Sequence, residues 1–271
     1  MRSIAVMNQK GGVGKTTTAV NLSAALAAAG QRVCLIDLDP QAHASLHLGV
    51  TLRDDQSSVY HILTGEKLFQ DVRQQVAENL WLVPAHLDLA AAEVELAGEV
   101  GREVILRDKL SQDDAQFDYL LIDCPPSLGV LTINALTMVR EVFLPLQPHF
   151  LALHGLSKLL RTIEIVSKRL NRNLKLTGVV LCMYDANTRL SSEVSDDVVA
   201  YFAKVQSPDC IWAEARTFAT RIRRNVRLAE APSFGQSILQ YAPSSHGAED
   251  YQNLAREVLA AKVGAESRKA A

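Results

Sequence analysis

Disulfide chemistry is the first thing this sequence lacks. Its four cysteines, Cys34, Cys124, Cys182 and Cys210, lie far apart, with no C-x-x-C and no metal-ligand spacing. That excludes a disulfide-stapled scaffold and a thiolate zinc site, and it fits reduced thiols in a cytosol. No apolar run reaches membrane-spanning length, and Met1-Arg2-Ser3-Ile4 opens too short an apolar run for a secretory signal. Neither sign of charge is in excess: 28 Lys and Arg stand against 30 Asp and Glu, a formal net charge of −2. Any nucleic-acid surface must therefore be a local patch. There is no internal repeat, and no low-complexity segment longer than an alanine-rich helix. What is left is 271 residues, 48% hydrophobic and 21% charged, a balance that suits a soluble domain with a large core.

One stretch organises the rest: Asn8-Gln9-Lys10-Gly11-Gly12-Val13-Gly14-Lys15-Thr16-Thr17-Thr18. It follows the apolar run Ile4-Ala5-Val6-Met7 and precedes a helix-like run, Ala19 to Ala29. Strand, glycine-rich turn and helix N-terminus together form an anion site, because backbone N–H groups and the helix dipole converge there. Lys15 is placed to reach β- and γ-phosphates and the Thr16 hydroxyl to ligate Mg²⁺. The standard pattern G-x-x-x-x-G-K-[ST] wants glycine at position 9, where this chain has Gln9 followed by Lys10. That lysine is either a spare solvated charge or a group meeting a phosphate from an unusual direction.

Further along, Gly30 is placed to end the first helix. Arg32-Val33-Cys34-Leu35-Ile36-Asp37 reads as a buried strand running into Asp37-Leu38-Asp39-Pro40-Gln41. Ligands of α/β sheets bind beyond the carboxyl ends of strands, which puts Asp37 and Asp39 near the phosphates; the alternative is a turn, since Asp and Pro also form turns. Residues 58–63 look helical, and Leu80-Trp81-Leu82-Val83 is a strand stopped by Pro84. Asp88 to Leu110 reads as an amphipathic helix, with Leu89, Val94, Leu96, Val100, Val104 and Leu106 among its apolar positions and an interruption near Gly98 and Gly101. Tyr119-Leu120-Leu121-Ile122-Asp123 is a strand that delivers a carboxylate toward a nucleotide's metal. Cys124 beside it reads as a small buried neighbour and not as a nucleophile, because no base is evident. Residues 142–146 and 177–183 are two more buried strands, separated by a helix over about residues 155–170. A closing helix spans about Glu249 to Val263. Strands alternating with helices predict an α/β fold with a mostly parallel central sheet and helices on both faces. Arg216, Arg221, Arg223, Arg224 and Arg227 form a basic stretch without an acid. It is a candidate nucleic-acid patch, or else a solvated face or a nucleotide-contacting loop.

With these residues in view, the chain resembles the ParA/Soj/MinD family of deviant Walker-A ATPases, nearest the ParA/Soj branch. The likeness runs through Asn8 to Thr18, Asp37 to Gln41, Ile122 to Leu128, residues 131–136, Ala152-Leu153-His154-Gly155-Leu156, Asn225 to Pro232 and Gly247-Ala248-Glu249. It implies a single P-loop NTPase domain over 1–271, with an insertion at about 206–216 and a disordered tail at 264–271. The resemblance also implies ATP and Mg²⁺ as cofactors, and ATP hydrolysis. Residue by residue, it implies that Lys10 crosses a dimer interface to the partner's ATP, and that Gly11, Gly12, Val13 and Gly14 line the nucleotide. Lys15 binds phosphate, Thr16 the metal and Thr17 phosphate. Asp39 positions or activates the attacking water, and Asp37 and Asp123 support the metal directly or through water. Met183 and Asn225 fall at adenine contacts, and Arg189, Arg224 and Arg227 at DNA contacts.

The implied partners are a second copy of the chain in the ATP state, non-specific double-stranded DNA and a ParB-like activator. The implied location is the cytoplasm, nucleoid-associated when ATP is bound, and the task is chromosome or plasmid partition. A ParA-like positioning role for a protein cargo is the alternative. A MinD-like membrane ATPase would need a basic amphipathic C-terminal helix with bulky apolar residues, and the tail has one, Val263. An iron–sulfur reductase would need a second cysteine beside Cys124. Two departures stand out. Ile222-Arg223-Arg224-Asn225 replaces the family's Ile-Pro-Arg-Asn, which is expected to loosen that loop. Asp185-Ala186-Asn187-Thr188-Arg189 carries its arginine two positions late. Trp212, in the insertion, is either a partner contact or packed on the sheet edge.

Overall fold

The computed structural model describes residues 1–113, 115–149, 156–185, 188–205 and 210–266. The short apolar runs become strands and the periodic ones helices. In chain order the first half contains β1 (Arg2–Val6), α1 (Lys15–Ala28), β2 (Val33–Asp37), α2 (His43–His47), α3 (Val59–Leu63), α4 (Phe69–Val72), β3 (Gln74–Ala77), β4 (Leu80–Val83), α5 (Leu89–Glu95) and α6 (Ile105–Leu110). The second half contains β5 (Tyr119–Asp123), α7 (Val130–Met138), β6 (Glu141–Leu146), α8 (Leu156–Arg169), β7 (Lys175–Tyr184), α9 (Arg189–Val205), β8 (Arg216–Thr217), β9 (Ile222–Arg223), α10 (Val226–Glu230), α11 (Ile238–Tyr241) and α12 (His246–Glu266).

One sheet carries them in the order β3-β4-β2-β5-β1-β6-β7-β8, with β9 also paired to β7. Every pairing is parallel except β3 with β4. Because side chains alternate across a strand, β1 sends Ile4 and Val6 to one face and Ala5 to the other. Two separate cores result. Ile4, Val6, Leu35 and Leu121 pack under α1 and α12, whereas Ala5, Ile36, Ile122 and Leu144 pack under α3, α5, α7 and α8. Strands buried on both faces explain why they read as unbroken apolar runs.

Several local expectations hold in detail. Gly30 adopts φ +82 and ends α1, with its N–H donating to the Ala27 carbonyl and that of Gln31 to Leu26. The helix expected over 58–63 is α3, and Ser58 lies just outside it as its cap, accepting from the Tyr60 N–H at 3.3 Å. Trp212 packs partly buried against the core, the sheet-edge reading.

Others need correction. Residues 88–110 are not one amphipathic helix. The chain breaks into α5, a 3₁₀ turn over Leu96–Gly98, a left-handed Gly101 and α6. Gly98 ends the 3₁₀ turn and Gly101 turns the chain before α6, so the periodicity does not carry through. Val94 is 77% exposed and Val100 fully exposed. Helix α12 runs to Glu266, past the point expected to begin the tail, since Ala265 and Glu266 both favour helix and Gly264 is tolerated within it. The antiparallel edge strand β3 and the two-residue strands β8 and β9 carry no sequence signal of their own. Ala152–Gly155, Ala186-Asn187, residues 206–209 and residues 267–271 lie outside the described residues.

Candidate nucleotide site

The carboxyl ends of β1, β2 and β5 meet at one place, because β1 and β2 flank β5. In register, Asp123 sits opposite both Val6 and Asp37. The loop after β1 then turns back over these ends into α1. Gly12 and Gly14 hold φ values of +70 and +91, which only glycine adopts without strain. A Cβ on Gly12 would meet nothing within 4 Å, so the open surface there is available for close approach, whereas one on Gly14 would touch Cys182 at 3.4 Å. Asn8 braces the loop: its Nδ2 donates to the Pro145 carbonyl at 2.8 Å and its Oδ1 accepts from the Lys10 N–H at 3.1 Å. Lys15 curls back and donates from Nζ to the Lys10 carbonyl at 2.9 Å.

Asp37 is fully buried and well held. Its Oδ2 accepts from the Ser45 N–H at 2.8 Å and from the Ser45 hydroxyl at 2.7 Å, and its Oδ1 accepts from the Asp39 N–H at 3.2 Å. Burial raises its pKa to about 6 against the pull of those hydrogen bonds. Asp123 is also fully buried, but among the described residues neither of its carboxylate oxygens has a hydrogen-bond partner. Burial and the neighbouring Asp37 push its pKa well up, and the Thr16 hydroxyl and Lys15 act against that rise. Burial lowers the Lys15 pKa, with Asp123 and Asp39 opposing the shift.

Such a carboxylate pair is left with negative charge and unused lone pairs, and a divalent cation satisfies both. Among the described residues no group of three His, Cys, Asp or Glu forms a metal cage. Mg²⁺ takes most of its oxygens from phosphates and water, so it needs only one or two carboxylates and a hydroxyl from the protein. The residues present therefore fit a Mg–nucleotide, with Thr16, Asp37 and Asp123 as the candidates to hold the ion.

In front of this lies a cleft of about 1000 Å³. Gly11, Gly12, Gly14, Lys15, Thr16 and Thr17 form one end, with Asp39, Pro40, Gln41 and His43 along one side. Asp39 both lines the cleft and turns the chain, its Oδ1 accepting from the Gln41 N–H at 3.0 Å. The other end is largely apolar: Met183, Ile222, Val226, Leu228, Ala229 and Tyr251, with Arg223, Arg224 and Asn225 among them. A polar phosphate end joined to an apolar end is the shape a nucleotide needs. Met183 adopts φ +52, an unusual value for a side chain of its size, at the bulge where β7 pairs with β9.

Other sequence candidates lie elsewhere. Lys10 and Val13 do not line this cleft; Val13 is buried and Lys10 half-buried. Arg189, at the start of α9, and Arg227 are exposed and outside it. Arg227 donates from Nη1 to Glu230 at 2.8 Å, so the basic stretch is partly neutralised by an acid just beyond it. Arg224 is exposed on the cleft rim. Cys124 is fully buried, with its thiol pKa pushed well up by burial and by Asp123, which bears out the non-nucleophilic reading.

The loosened loop expected at Arg223 is not found. Arg223 donates from its backbone N–H to Asp250 Oδ2 at 2.9 Å and from Nη2 to Glu249 at 2.6 Å, a connection proline could not make. Sequence reasoning also missed Ser45, His43 and Tyr251. Ser45 lies eight residues past Asp37 and Tyr251 reads as one more apolar position of the closing helix, so neither shows a pattern.

Comparison with known proteins agrees with this geometry. The AAA domain family model matches residues 1–176. The sporulation initiation inhibitor protein Soj of Bacillus subtilis is 47% identical over 258 residues, covering 95% of this chain and 98% of that protein. The chromosome partitioning protein ParA of Caulobacter vibrioides is 45% identical, covering 96% of this chain and 94% of its own length. A crystal structure of cobyrinic acid a,c-diamide synthase from Mycobacterium smegmatis, with bound ATP analog and magnesium, superposes with a TM-score of 0.80 at 38% identity, covering 96% of this chain and 94% of that one. The expected α/β fold with its mostly parallel sheet is the one observed, and the chain belongs to the ParA/Soj family of P-loop ATPases.

Proposed function

We propose that this protein is a Mg²⁺-dependent ATPase that dimerises on ATP, binds DNA without sequence preference and positions chromosomal or plasmid DNA under the control of a ParB-like activator. The observation that carries the ATPase reading is the orphaned Asp123 carboxylate behind a cleft that also holds Lys15, Thr16 and Asp39. The partition reading is supported by relatives named as chromosome partitioning proteins over nearly the whole chain.

Within this reading the loop N–H groups and Lys15 receive the phosphates, and Thr17 adds a hydroxyl. Mg²⁺, when bound, neutralises charge developing on the phosphate oxygens. Asp39 orients the attacking water, so the chain's chemistry is positioning and charge stabilisation. Met183 and Asn225 contact the base at the apolar end. Lys10 reaches across to the ATP of a second protomer, so each site is completed by its partner, with Gly11 and Gly12 at the close approach. One domain spans 1–271. Arg224, Arg227 and Arg189 form the DNA surface, and the protein is cytoplasmic, joining the nucleoid in its ATP state. A dimer doubles a modest patch, which is how weak phosphate contacts become useful. No helix among the described residues is long and apolar enough to cross a membrane.

The deciding measurement is retention on random duplex DNA. With about six arginine contacts per dimer from Arg189, Arg224 and Arg227, the logarithm of affinity should fall with that of salt at a slope of about −5.4. Retention should require ATP, and Arg224→Glu with Arg227→Glu should abolish it while ATP-dependent dimerisation persists. Retention that is unchanged in the double variant removes the assigned surface. Capture by anionic vesicles with ATP, and no DNA retention, would favour the membrane ATPase instead.

A further inference from the structure

Strand β9 and helix α12 are joined by one fork. Besides its backbone N–H, Arg223 donates from Nε to Asp250 Oδ1 at 3.0 Å and from Nη2 to the same oxygen at 2.5 Å. Nη2 also donates to Glu249 Oε2 at 2.6 Å. The Asp250 side chain is 5% exposed, that of Arg223 40%. Both acids favour the charged guanidinium, which pushes the Arg223 pKa up. A nearly buried carboxylate receiving a main-chain N–H and a guanidinium fork is fixed in position and direction. A lysine could supply the charge but not the fork.

The residues on either side of this fork face the cleft. Arg224 and Asn225 follow Arg223 and form part of the apolar end's wall; Tyr251 follows Asp250 and lines the same space. The Tyr251 hydroxyl lies 3.2 Å from Thr18 Oγ1, and Thr18 donates its N–H to the Gly14 carbonyl at 2.9 Å. Tyr251 thus anchors α12 to Thr18 in the body of α1, and not to Lys15. Asn225 does not brace that wall against the sheet, since its Oδ1 caps α10 by accepting from the Arg227 N–H at 2.8 Å. Strand β9 is only two residues long and pairs with β7 through a bulge. Arg224 also donates its N–H to the Tyr184 carbonyl at 3.2 Å, and the fork adds the side-chain connection between this wall and α12.

We propose that Arg223, forked to Asp250, is a positioning residue that fixes the Arg224-Asn225 wall against the base end of the nucleotide, and so sets affinity through the base and ribose and not through the phosphates. This rests on the reading of the cleft as an ATP site. The phosphates are held from the opposite end by groups the fork does not touch, so the two contributions are separable.

Calorimetric titration with Mg–ATP, and displacement of bound Mg–ATP by inorganic tripolyphosphate, tests it on the full chain. Asp250→Asn keeps an oxygen for the Arg223 N–H and removes the charge; Arg223→Gln removes the fork. Each should weaken Mg–ATP about ten-fold, as expected for a site left loosely supported, with Arg223→Lys in between. The inhibition constant of tripolyphosphate should stay within about two-fold of the parent's, since the phosphate loop is untouched. ATP affinity within two-fold of the parent in both variants would overturn the proposal, as would equal weakening of ATP and tripolyphosphate. If the parent protein binds no Mg–ATP, it is the ATP-site reading that falls. Fork variants that melt earlier yet bind ATP as the parent does would make the fork a fold contact only, which also overturns the proposal.

Discussion

Replacing Asp123 with Asn should make the nucleotide-free protein more stable while removing its use for a Mg–nucleotide. Asp123 and Asp37 are register partners on adjacent strands, both fully buried. Strands lie ~4.8 Å apart, so two ionised carboxylates there repel by about 3 kcal/mol at an effective dielectric of ~20. The amide loses that repulsion but leaves a buried polar group imperfectly bonded, at about 1 kcal/mol. The net gain is about 2 kcal/mol, or about 4–8 °C in Tm for a chain of this size. The sign with pH follows from linkage. Both folded-state pKa values lie above the usual carboxylate value of 3.8, Asp37 raised to about 6 and Asp123 also well raised. The folded protein therefore binds extra protons, and stability present below pH 4 is lost as pH rises through those values. Urea titrations without nucleotide should show Asp123→Asn gaining little at pH 4 and most above pH 6. A variant no more stable than the parent at pH 8, or equally stabilised at pH 4, would refute the account of an uncompensated carboxylate pair. Mg–ATP should stabilise the parent and not the variant.

Four further outcomes follow from named contacts. Gly178→Ala places a Cβ 2.4 Å from Phe218 and 2.9 Å from Phe143, two rings stacked edge to face, and should destabilise by about 1–3 kcal/mol in chemical denaturation. Ala42 sits at φ 53 before α2, so Ala42→Gly should stabilise by about 0.5–1 kcal/mol, measured the same way. Ser45→Ala removes the hydroxyl donor from Asp37 while the backbone N–H donor stays, and should lower stability by about 1–3 kcal/mol, with the loss largest where Asp37 is ionised, above about pH 6. Lys10→Ala should leave ATP binding by the monomer near normal and impair activator-stimulated turnover; stimulated hydrolysis at the parent rate would sink the shared site.

The sequence by itself determined the strands of the central sheet and the loop that organises the site. Ile4 to Val6, Val33 to Asp37 and Tyr119 to Asp123 are short apolar runs with nowhere to go but a doubly covered sheet. The glycines and Lys15-Thr16 that follow the first run are local chemistry, since a backbone anion site needs only its own residues in order. The same was true of Gly30, where one residue type ends one helix. Tertiary structure decided everything that depends on neighbours distant in sequence. Asp37 and Asp123 are 86 residues apart, and only the order β2-β5-β1 sets them side by side, buried and unequal: one held by Ser45, the other with no hydrogen-bond partner among the described residues. Arg223 reads in sequence as a lost proline and a loosened loop, yet α12 brings Asp250 to it and the position becomes a clamp. Residues 88–110 failed for the same reason in reverse, because apolar periodicity promised a buried face and no neighbouring element covers Val94 or Val100. Burial and pairing are properties of the packed layers, and a linear pattern encodes which residues seek them but not which partner arrives.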